Sequence, residues 1–332
     1  MQIKSKYIND CENKISNTLY VIKFFAILFV ISAHMTFITS DIKPTEVVAD
    51  SIRNTLGQIG VPIFFIVSGY FYRRSSGDTK IFWTKKAEKL IIPWVLFGIL
   101  TFILSIMLSS KHDNIVLNCA KWILGFKTWF WYMTVLMILF ILFKFIKQDI
   151  WLYISMAVSA ISVLLTIFNI IPREPLNQYL NVLNWIGFFA FGILINKHKL
   201  INKIISVPIG IISFLTLILF SALTVNFCDN DSTYINYFSL IVEFSGFCFF
   251  LNISYVLSEI KLFKYIGQRS FFIYLSHMQI AGFINTRLPY NCLFFVLKPL
   301  VVLAFMSIIA KITEFVFEKL NLSKLSFLIG LK

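Results

Sequence analysis

Charged residues are scarce in this chain. Of its 332 residues, 14% are Asp, Glu, Lys or Arg, whereas 58% are hydrophobic. A soluble domain usually carries charge on about a quarter of its residues and apolar side chains on about half. The shortage of charge, together with long continuous apolar runs, excludes an ordinary soluble domain and predicts a protein that crosses a membrane several times.

Among the charged residues, acidic ones are scarcer than basic ones. The chain has 16 Asp and Glu against 30 Lys and Arg, which gives a net charge of +14. Such a balance can indicate nucleic-acid binding, but in membrane proteins basic residues collect in cytoplasmic loops. We therefore expect membrane lipids as partners and no nucleic acid.

Cysteine is also sparse, and its spacing excludes common metal sites. The 5 cysteines show no C-x-x-C pair, and no two His or Cys residues have the spacing of metal ligands. We interpret all of them as structural and expect no catalytic metal. They are Cys11, Cys119, Cys228, Cys248 and Cys292.

Long polar stretches are absent as well. No segment between apolar runs exceeds about two dozen residues, so we see no room for a soluble domain. The runs lack the alternation of a transmembrane barrel, which favours helices. The first run is too long for a cleavable signal peptide, has no small-residue cleavage site, and is followed by many more runs.

The apolar runs predict an all-α, polytopic transmembrane helix bundle of about ten spans. We interpret the interrupted segment 114–128 as an interfacial helix, and 18–318 as one transmembrane domain between a 1–17 N-terminal segment and a 319–332 C-terminal tail. The predicted spans are 18–38, 56–73, 90–110, 129–146, 150–171, 182–196, 204–226, 237–258, 268–287 and 293–316.

The basic residues predict the orientation of these spans. With a cytoplasmic N-terminus, 22 of the Lys and Arg residues lie at inside-facing ends and 8 at outside-facing ends. This split agrees with the positive-inside rule and with an even number of spans. We therefore expect both termini in the cytoplasm.

The first span, in "KFFAILFVISAH" (23–34), has an ionisable residue at each end. Eleven helical steps turn about 1100° and rise about 16 Å, so Lys23 and His34 share a helix face. An ionisable residue inside a span usually faces the bundle interior or a water-filled cavity. The alternative is a snorkelling Lys23 and a His34 that bonds a neighbouring helix; the spacing alone does not decide between them.

The second span and the loop after it carry two further features. In "GQIGVPIFFIVSGYFYRR" (57–74), small residues favour close helix packing and Ser68 can bond across an interface. A basic loop comes next, which either sets the topology or attracts anionic lipid, or binds a phosphorylated ligand. Its candidate ligand residues are Arg73, Arg74, Lys85, Lys86 and Lys89.

Three later stretches complete the candidate site. "GFKTWFWYM" (125–133) contains Trp129, and an interfacial aromatic belt explains it without function. "KYIGQRSFFIYLSHMQI" (264–280) places His277 inside a span with Tyr274 on nearly the same face. Glu243 lies in the middle of a span, where an acid either takes part in function or satisfies a buried partner.

These motifs, in this order, resemble the membrane-bound acyltransferase-3 family from Asn17 to about Glu318. They are a basic residue followed by ten residues and His, "GVPIFFIVSGY", a basic run ending in "LIIP", a Trp-Phe pair, and "IGQRSFFIYLSH". The family usually has Arg at the position of Lys23. Lys keeps the charge but loses the planar fork of Arg.

The resemblance implies an integral membrane O-acetyltransferase of the bacterial cytoplasmic (inner) membrane. It implies acetyl-CoA as the acyl donor and, as acceptor, a hydroxyl of an O-antigen, capsule or exopolysaccharide, or of its lipid-linked precursor. His34 is then the expected base or acyl carrier, and Lys23 steadies the donor or the developing negative charge. The basic loop binds CoA, whereas Ser68, Trp129, Glu243, Tyr274 and His277 line the cavity or orient the acceptor.

Buried His, Lys and Glu residues also occur in proton-coupled transporters and in exporters of lipid-linked sugars. Such a transporter usually has two similar halves with broken helices in matching positions. The motifs of the first two spans have no counterpart in spans six and seven, and the Gly and Pro interruptions are not paired. The sequence therefore favours the acyltransferase, with a transporter as the alternative.

Overall fold

The structure is a computed structural model. It describes residues 2–35, 44–72, 79–108, 114–126, 128–168, 170, 178–227, 238–287 and 292–331. All regular elements in this part of the chain are helical, which agrees with the predicted all-α fold. The α-helices are α1 (Gln2–Ala33), α2 (Pro44–Tyr70), α3 (Thr79–Lys86), α4 (Ile92–Leu108), α5 (Ile115–Ile123), α6 (Trp131–Phe145), α7 (Ile150–Ile167), α8 (Val182–Lys197), α9 (Ile201–Ile204), α10 (Val207–Phe227), α11 (Ser239–Val256), α12 (Lys261–Gln268), α13 (Ser270–Arg287) and α14 (Cys292–Lys319).

Six stretches in the described residues are long and apolar enough to cross a membrane: Glu12–Ala33, Lys80–Met107, Ile150–Ile167, Val207–Thr224, Ser239–Val256 and Val296–Lys319. The shorter helices α6 and α8 are also apolar. Four predicted spans are therefore not among the six: α6 and α8 are shorter, and polar residues such as Gln58 and His277 lower the hydropathy of α2 and α13. The total of about ten spans and the side on which the termini lie stay predictions.

Helices α1 and α2 form the centre of the bundle. α1 packs against α2, α11, α12, α13 and α14, and α2 also packs against α8. Side chains on α1, among them Ile22, Ile27 and Ile31, are fully buried. By contrast, α10 exposes apolar side chains such as Ile212 and Leu215, as expected of a helix that faces lipid.

Small residues let α2 and α8 approach at backbone distance. A Cβ atom on Gly69 would lie 2.1 Å from the Phe189 carbonyl oxygen, and one on Gly192 would lie 2.0 Å from the Ile66 carbonyl oxygen. Helix association in a membrane depends on such close packing, since lipid competes for apolar side chains. The glycines therefore fix the crossing that positions both helices around the candidate site.

Polar side chains connect α7 to α8. Ser162 Oγ donates to Asn184 Oδ1 at 2.7 Å, and Ser159 Oγ donates to the Asn184 carbonyl oxygen at 2.9 Å. Asn184 Nδ2 donates to the Gln178 carbonyl oxygen at 3.2 Å. Hydrogen bonds of this kind hold helices together in an apolar surrounding, so the network fixes α8 and the segment before it.

A tight loop joins α5 to α6 and places the tryptophans of "GFKTWFWYM". Gly125 has φ +79°, and a Cβ atom there would lie 2.0 Å from the Trp131 backbone nitrogen. Thr128 Oγ1 donates to the Trp122 carbonyl oxygen at 2.7 Å, and Thr134 Oγ1 to that of Leu124 at 2.9 Å. Only glycine tolerates both this conformation and this approach.

Candidate active site

His34 lies in a turn at the end of α1, not inside a longer helix. The predicted first span ran to residue 38, but α1 ends at Ala33, and the His34 backbone nitrogen donates to the Ile31 carbonyl oxygen at 3.0 Å. Asn285 Nδ2 donates to the His34 carbonyl oxygen at 3.1 Å. Arg53 Nη1 donates to the carbonyl oxygen of the next residue, Met35, at 2.8 Å. Side chains from α13 and α2 thus hold this turn in place.

His277, on α13, lies beside His34. The two ring centroids are 5.3 Å apart, and His277 is fully buried. Its Nδ1 donates to the Tyr274 carbonyl oxygen at 2.7 Å, because a carbonyl oxygen can only accept. The Nε2 atom of the neutral ring therefore has a free lone pair, and it has no hydrogen-bond partner among the described residues.

Tyr274 and Trp129 complete this group of rings. The Tyr274 hydroxyl donates to the Trp129 carbonyl oxygen, and the ring centroids of Tyr274 and His277 are 6.0 Å apart. The Trp129 ring lies 6.3 Å from that of His277, edge to face. The two sequence motifs that contain Trp129 and His277 therefore meet in space, although 148 positions separate them.

One cavity of about 220 Å³ opens onto His34. We call it the His34 cavity; its polar lining residues include Gln58 and Glu243, and its aromatic ones are Trp131, Tyr179 and Trp185. Glu243 is 4% exposed and Gln58 is 7% exposed. Neither side chain has a hydrogen-bond partner in the part of the chain that is described, and neither do the ring nitrogens of His34.

A second cavity of about 210 Å³, the Lys23 cavity, has a more cationic lining. Lys23, Ser68, Lys86, Tyr132 and Tyr274 line it. Ser68 Oγ and the Tyr132 hydroxyl share a hydrogen bond of 3.3 Å. Lys23 Nζ lies 4.7 Å from the centroid of the Tyr20 ring, and Lys86 Nζ lies 3.8 Å from that of Phe140. Aromatic faces thus hold both ammonium groups at this cavity.

Residues from the predicted basic loop are divided between the cavity and the surface. Lys86 lines the Lys23 cavity, whereas the side chains of Lys85 and Lys89 are exposed. Arg73 and Arg74 lie outside the described residues. A π-helical turn, Ala87–Ile91, separates α3 from α4 just before Pro93, and such turns are frequent at functional sites.

The structure places Lys23 and His34, which the helical spacing put on one face, in separate cavities. Lys23 lines one and His34 the other. It brings His34 together with His277, Tyr274 and Trp129, and it places Glu243 in the His34 cavity. Two other candidates, Ser68 and Lys86, line the Lys23 cavity instead.

Sequence reasoning missed four of the polar and aromatic residues that line the His34 cavity: Gln58, Trp131, Tyr179 and Trp185. Trp131 lies in the stretch that an interfacial aromatic belt explained equally well. A glutamine in an otherwise apolar span was the one signal that could have indicated Gln58. Tyr179 and Trp185 carry no local pattern that separates them from packing residues.

Metal ligands are not grouped in the described residues: no three His, Cys, Asp or Glu side chains there lie close enough together to hold an ion. The absence of a catalytic metal nevertheless stays a prediction. Of the cysteines, Cys119 and Cys248 have described side chains, and both are free thiols.

The comparisons with known proteins gave one positive finding. A family model described as an acyltransferase domain matches residues 17–316, which is most of the chain and includes His34, Glu243, Tyr274 and His277. Neither the curated proteins nor the solved structures gave a significant match.

Proposed function

Since the chain belongs to the acyltransferase-3 family, we propose that this membrane acyltransferase moves an acetyl group from cytoplasmic acetyl-CoA to a sugar hydroxyl. The acceptor in this proposal is a cell-surface polysaccharide such as an O-antigen or capsule, or its lipid-linked precursor. The enzyme works in the bacterial cytoplasmic membrane with both termini inside. The observation that carries the proposal is a row of rings, Tyr274, His277 and His34, which links the two cavities.

The row gives each cavity a part in the reaction. The Lys23 cavity supplies positive charge from Lys23 and Lys86, which suits the phosphates of an acyl-CoA. The His34 cavity supplies an imidazole without a partner and polar side chains that suit a hydroxyl compound. We assign donor binding to the first and acceptor binding to the second.

His34 is the proposed general base. A hydroxyl is a poor nucleophile, so a base must take its proton as the oxygen attacks the thioester carbonyl carbon. The carbon–oxygen bond then forms, the carbon–sulfur bond breaks, and the CoA thiolate leaves. A covalent acyl-histidine, formed by His34 attack and then cleaved by the hydroxyl, gives the same products.

His277 and Tyr274 position the base. Because His277 Nδ1 donates to the Tyr274 carbonyl oxygen, Nε2 accepts and can hold a proton from His34 or from the acceptor. Tyr274 is itself fixed by its hydrogen bond to the Trp129 carbonyl oxygen. Such a supporting shell keeps a catalytic ring in the reactive geometry.

The test is a transfer assay in membranes that contain the protein. Radiolabelled acetyl-CoA or succinyl-CoA is added with and without lipid-linked and polymeric glycans. We expect label from acetyl-CoA to appear in the glycan fraction, and only in membranes with the protein. Folded protein that transfers label from neither donor to any glycan would contradict the proposal.

A further inference from the structure

We propose that the His34 cavity is a subsite for one neutral pyranose ring of the acceptor, with an aromatic platform formed by Trp131, Tyr179 and Trp185 and with Glu243 and Gln58 as hydroxyl partners. The inference rests on the proposed function, since it specifies what the acceptor side of that reaction binds. None of the three aromatic residues was a candidate from the sequence.

Ring contacts and a hydrogen bond among its own residues fix the aromatic platform. The Trp131 ring stacks on Tyr179 at a centroid distance of 5.2 Å and an angle of 28°, and it lies 5.3 Å from Trp185 at 32°. Trp185 Nε1 donates to the Tyr179 carbonyl oxygen at 2.9 Å. The indole nitrogen of Trp185 is therefore already used, and the three rings line the cavity with apolar aromatic surface.

Two polar side chains of the cavity are available to bond a ligand. Glu243 and Gln58 are each more than nine-tenths buried, line the cavity, and make no hydrogen bond to any described residue. A ligand that displaces water from the cavity must offer hydrogen bonds to this carboxyl and amide, because leaving them unsatisfied would cost free energy. Such groups are normally retained inside a membrane because they have a function, and here both can bond a ligand that fills the cavity.

The combination of surfaces matches a sugar. A pyranose has apolar C–H faces, which stack on aromatic rings, and an edge of hydroxyls, which donate and accept. The Glu243 carboxyl group and the Gln58 amide can each accept hydrogen bonds from hydroxyls, and the amide also donates. A cavity of about 220 Å³ is many times the ~10–15 Å³ that one water molecule needs, so it has room for a small ring.

The charges disfavour a cationic ligand, the other class that aromatic and acidic residues bind. Arg53 is held beside the cavity by its hydrogen bond to the Met35 carbonyl oxygen, one residue after His34. Its fixed positive charge repels an ammonium group. A hydroxyl of a neutral ring in this cavity lies against His34, which is the group that must take its proton.

Binding is measured first, apart from any transfer. Purified protein in nanodiscs is titrated with methyl pyranosides of gluco, galacto, manno and N-acetylgluco configuration, and with choline, and binding is followed by saturation-transfer NMR. We expect a signal from at least one pyranoside that Trp131→Leu and Glu243→Gln abolish. Trp151→Leu and Glu259→Gln are the matched controls, since these side chains are exposed.

Transfer kinetics give the second readout. Trp131→Leu and Glu243→Gln should raise the KM for the glycan by about tenfold or more and leave the KM for acyl-CoA unchanged. Gln58→Leu tests the same point if Glu243→Gln does not fold. Choline binding in place of a pyranoside, or no pyranoside signal from the wild type, would overturn the subsite.

The two proposals fail separately. If label reaches glycan but the acceptor KM and the pyranoside signal of both variants equal those of the wild type, the subsite is wrong and the acetyltransferase stands. The opposite result is also possible: pyranoside binding depends on Trp131 and Glu243, but no combination of donor and glycan gives a product. The cavity then binds sugar and the proposed reaction is wrong.

Discussion

Single residues divide the candidate site into two chemical environments. His34 has ring nitrogens that make no hydrogen bond to any described residue and faces a cavity with Glu243 and Gln58. Lys23, eleven positions earlier, faces a cavity with a second lysine. In the proposed reaction a base meets the acceptor and a cation meets the donor, and α1 together with the turn that follows it carries both residues.

The first prediction concerns Lys23. Lys23→Gln should raise the KM for acyl-CoA by about tenfold, because a hydrogen bond to a charged group contributes about 1.5–3 kcal/mol. Lys23→Arg should bind the donor as well as the wild type, since it keeps the charge and is the residue usual in the family. Steady-state kinetics with varied acyl-CoA measure both.

Lys203→Gln is the control for this prediction, because Lys203 is exposed on α9. An unchanged donor KM in Lys23→Gln would show that the Lys23 cavity does not hold the charged part of the donor.

Among the elements, α7 and α8 depend on polar contacts. Ser162 and Ser155 both lie on α7 and are both buried. Ser162 donates across the interface to Asn184, whereas Ser155 donates to the Trp151 carbonyl oxygen of its own helix. Variants at these two positions therefore distinguish the effect of an interhelical hydrogen bond from that of a hydrogen bond within one helix.

We expect Ser162→Ala to destabilise the protein by about 1–2 kcal/mol and Ser155→Ala to change its stability little. Thermal unfolding in detergent, followed by the loss of monodisperse protein, gives the two midpoints. Equal midpoints for the two variants would mean that the network around Asn184 does not hold α8 in place.

Some elements were predictable from hydropathy and others were not. The apolar runs located α4, α7, α10, α11 and α14, because every backbone group in lipid must be satisfied within a helix. The end of α1 was predicted five residues too late, since the apolar residues Met35, Phe37 and Ile38 extend the apolar run past the turn at His34. Hydropathy registers only the apolar character of a run and has no signal for a turn fixed by Asn285 and Arg53.

The site was predictable only in part for a related reason. His34, Tyr274 and His277 stood out because ionisable or polar residues are rare inside spans. Trp131, Tyr179 and Trp185 did not, because aromatic residues are common throughout this chain. Only the packing of α6, α8 and the segment before α8 around the cavity separates them from other packing residues. The separation of Lys23 from His34 arises from neighbouring helices, which the helical period of α1 cannot register.

At the scale of the whole molecule, the two cavities predict which side takes each substrate. Lys23 and Lys86 lie at the ends of the predicted spans that carry most of the basic residues, and we expect these ends to face the cytoplasm. Acyl-CoA does not cross a bilayer, so sealed inside-out vesicles should transfer label from added acyl-CoA, whereas right-side-out vesicles should do so only after permeabilisation. Equal transfer by both kinds of sealed vesicle would contradict the predicted orientation.

The central claim is that this membrane acyltransferase uses His34 as its base, and one comparison tests it most directly. Transfer of radiolabel from acetyl-CoA to glycan is measured for the wild type, His34→Gln and His198→Gln in equal amounts of monodisperse protein. His198 is the control because its side chain is 43% exposed and lies away from both cavities. We predict a loss of about 10²–10⁴-fold for His34→Gln and a wild-type rate for His198→Gln. A wild-type rate for His34→Gln would contradict the account.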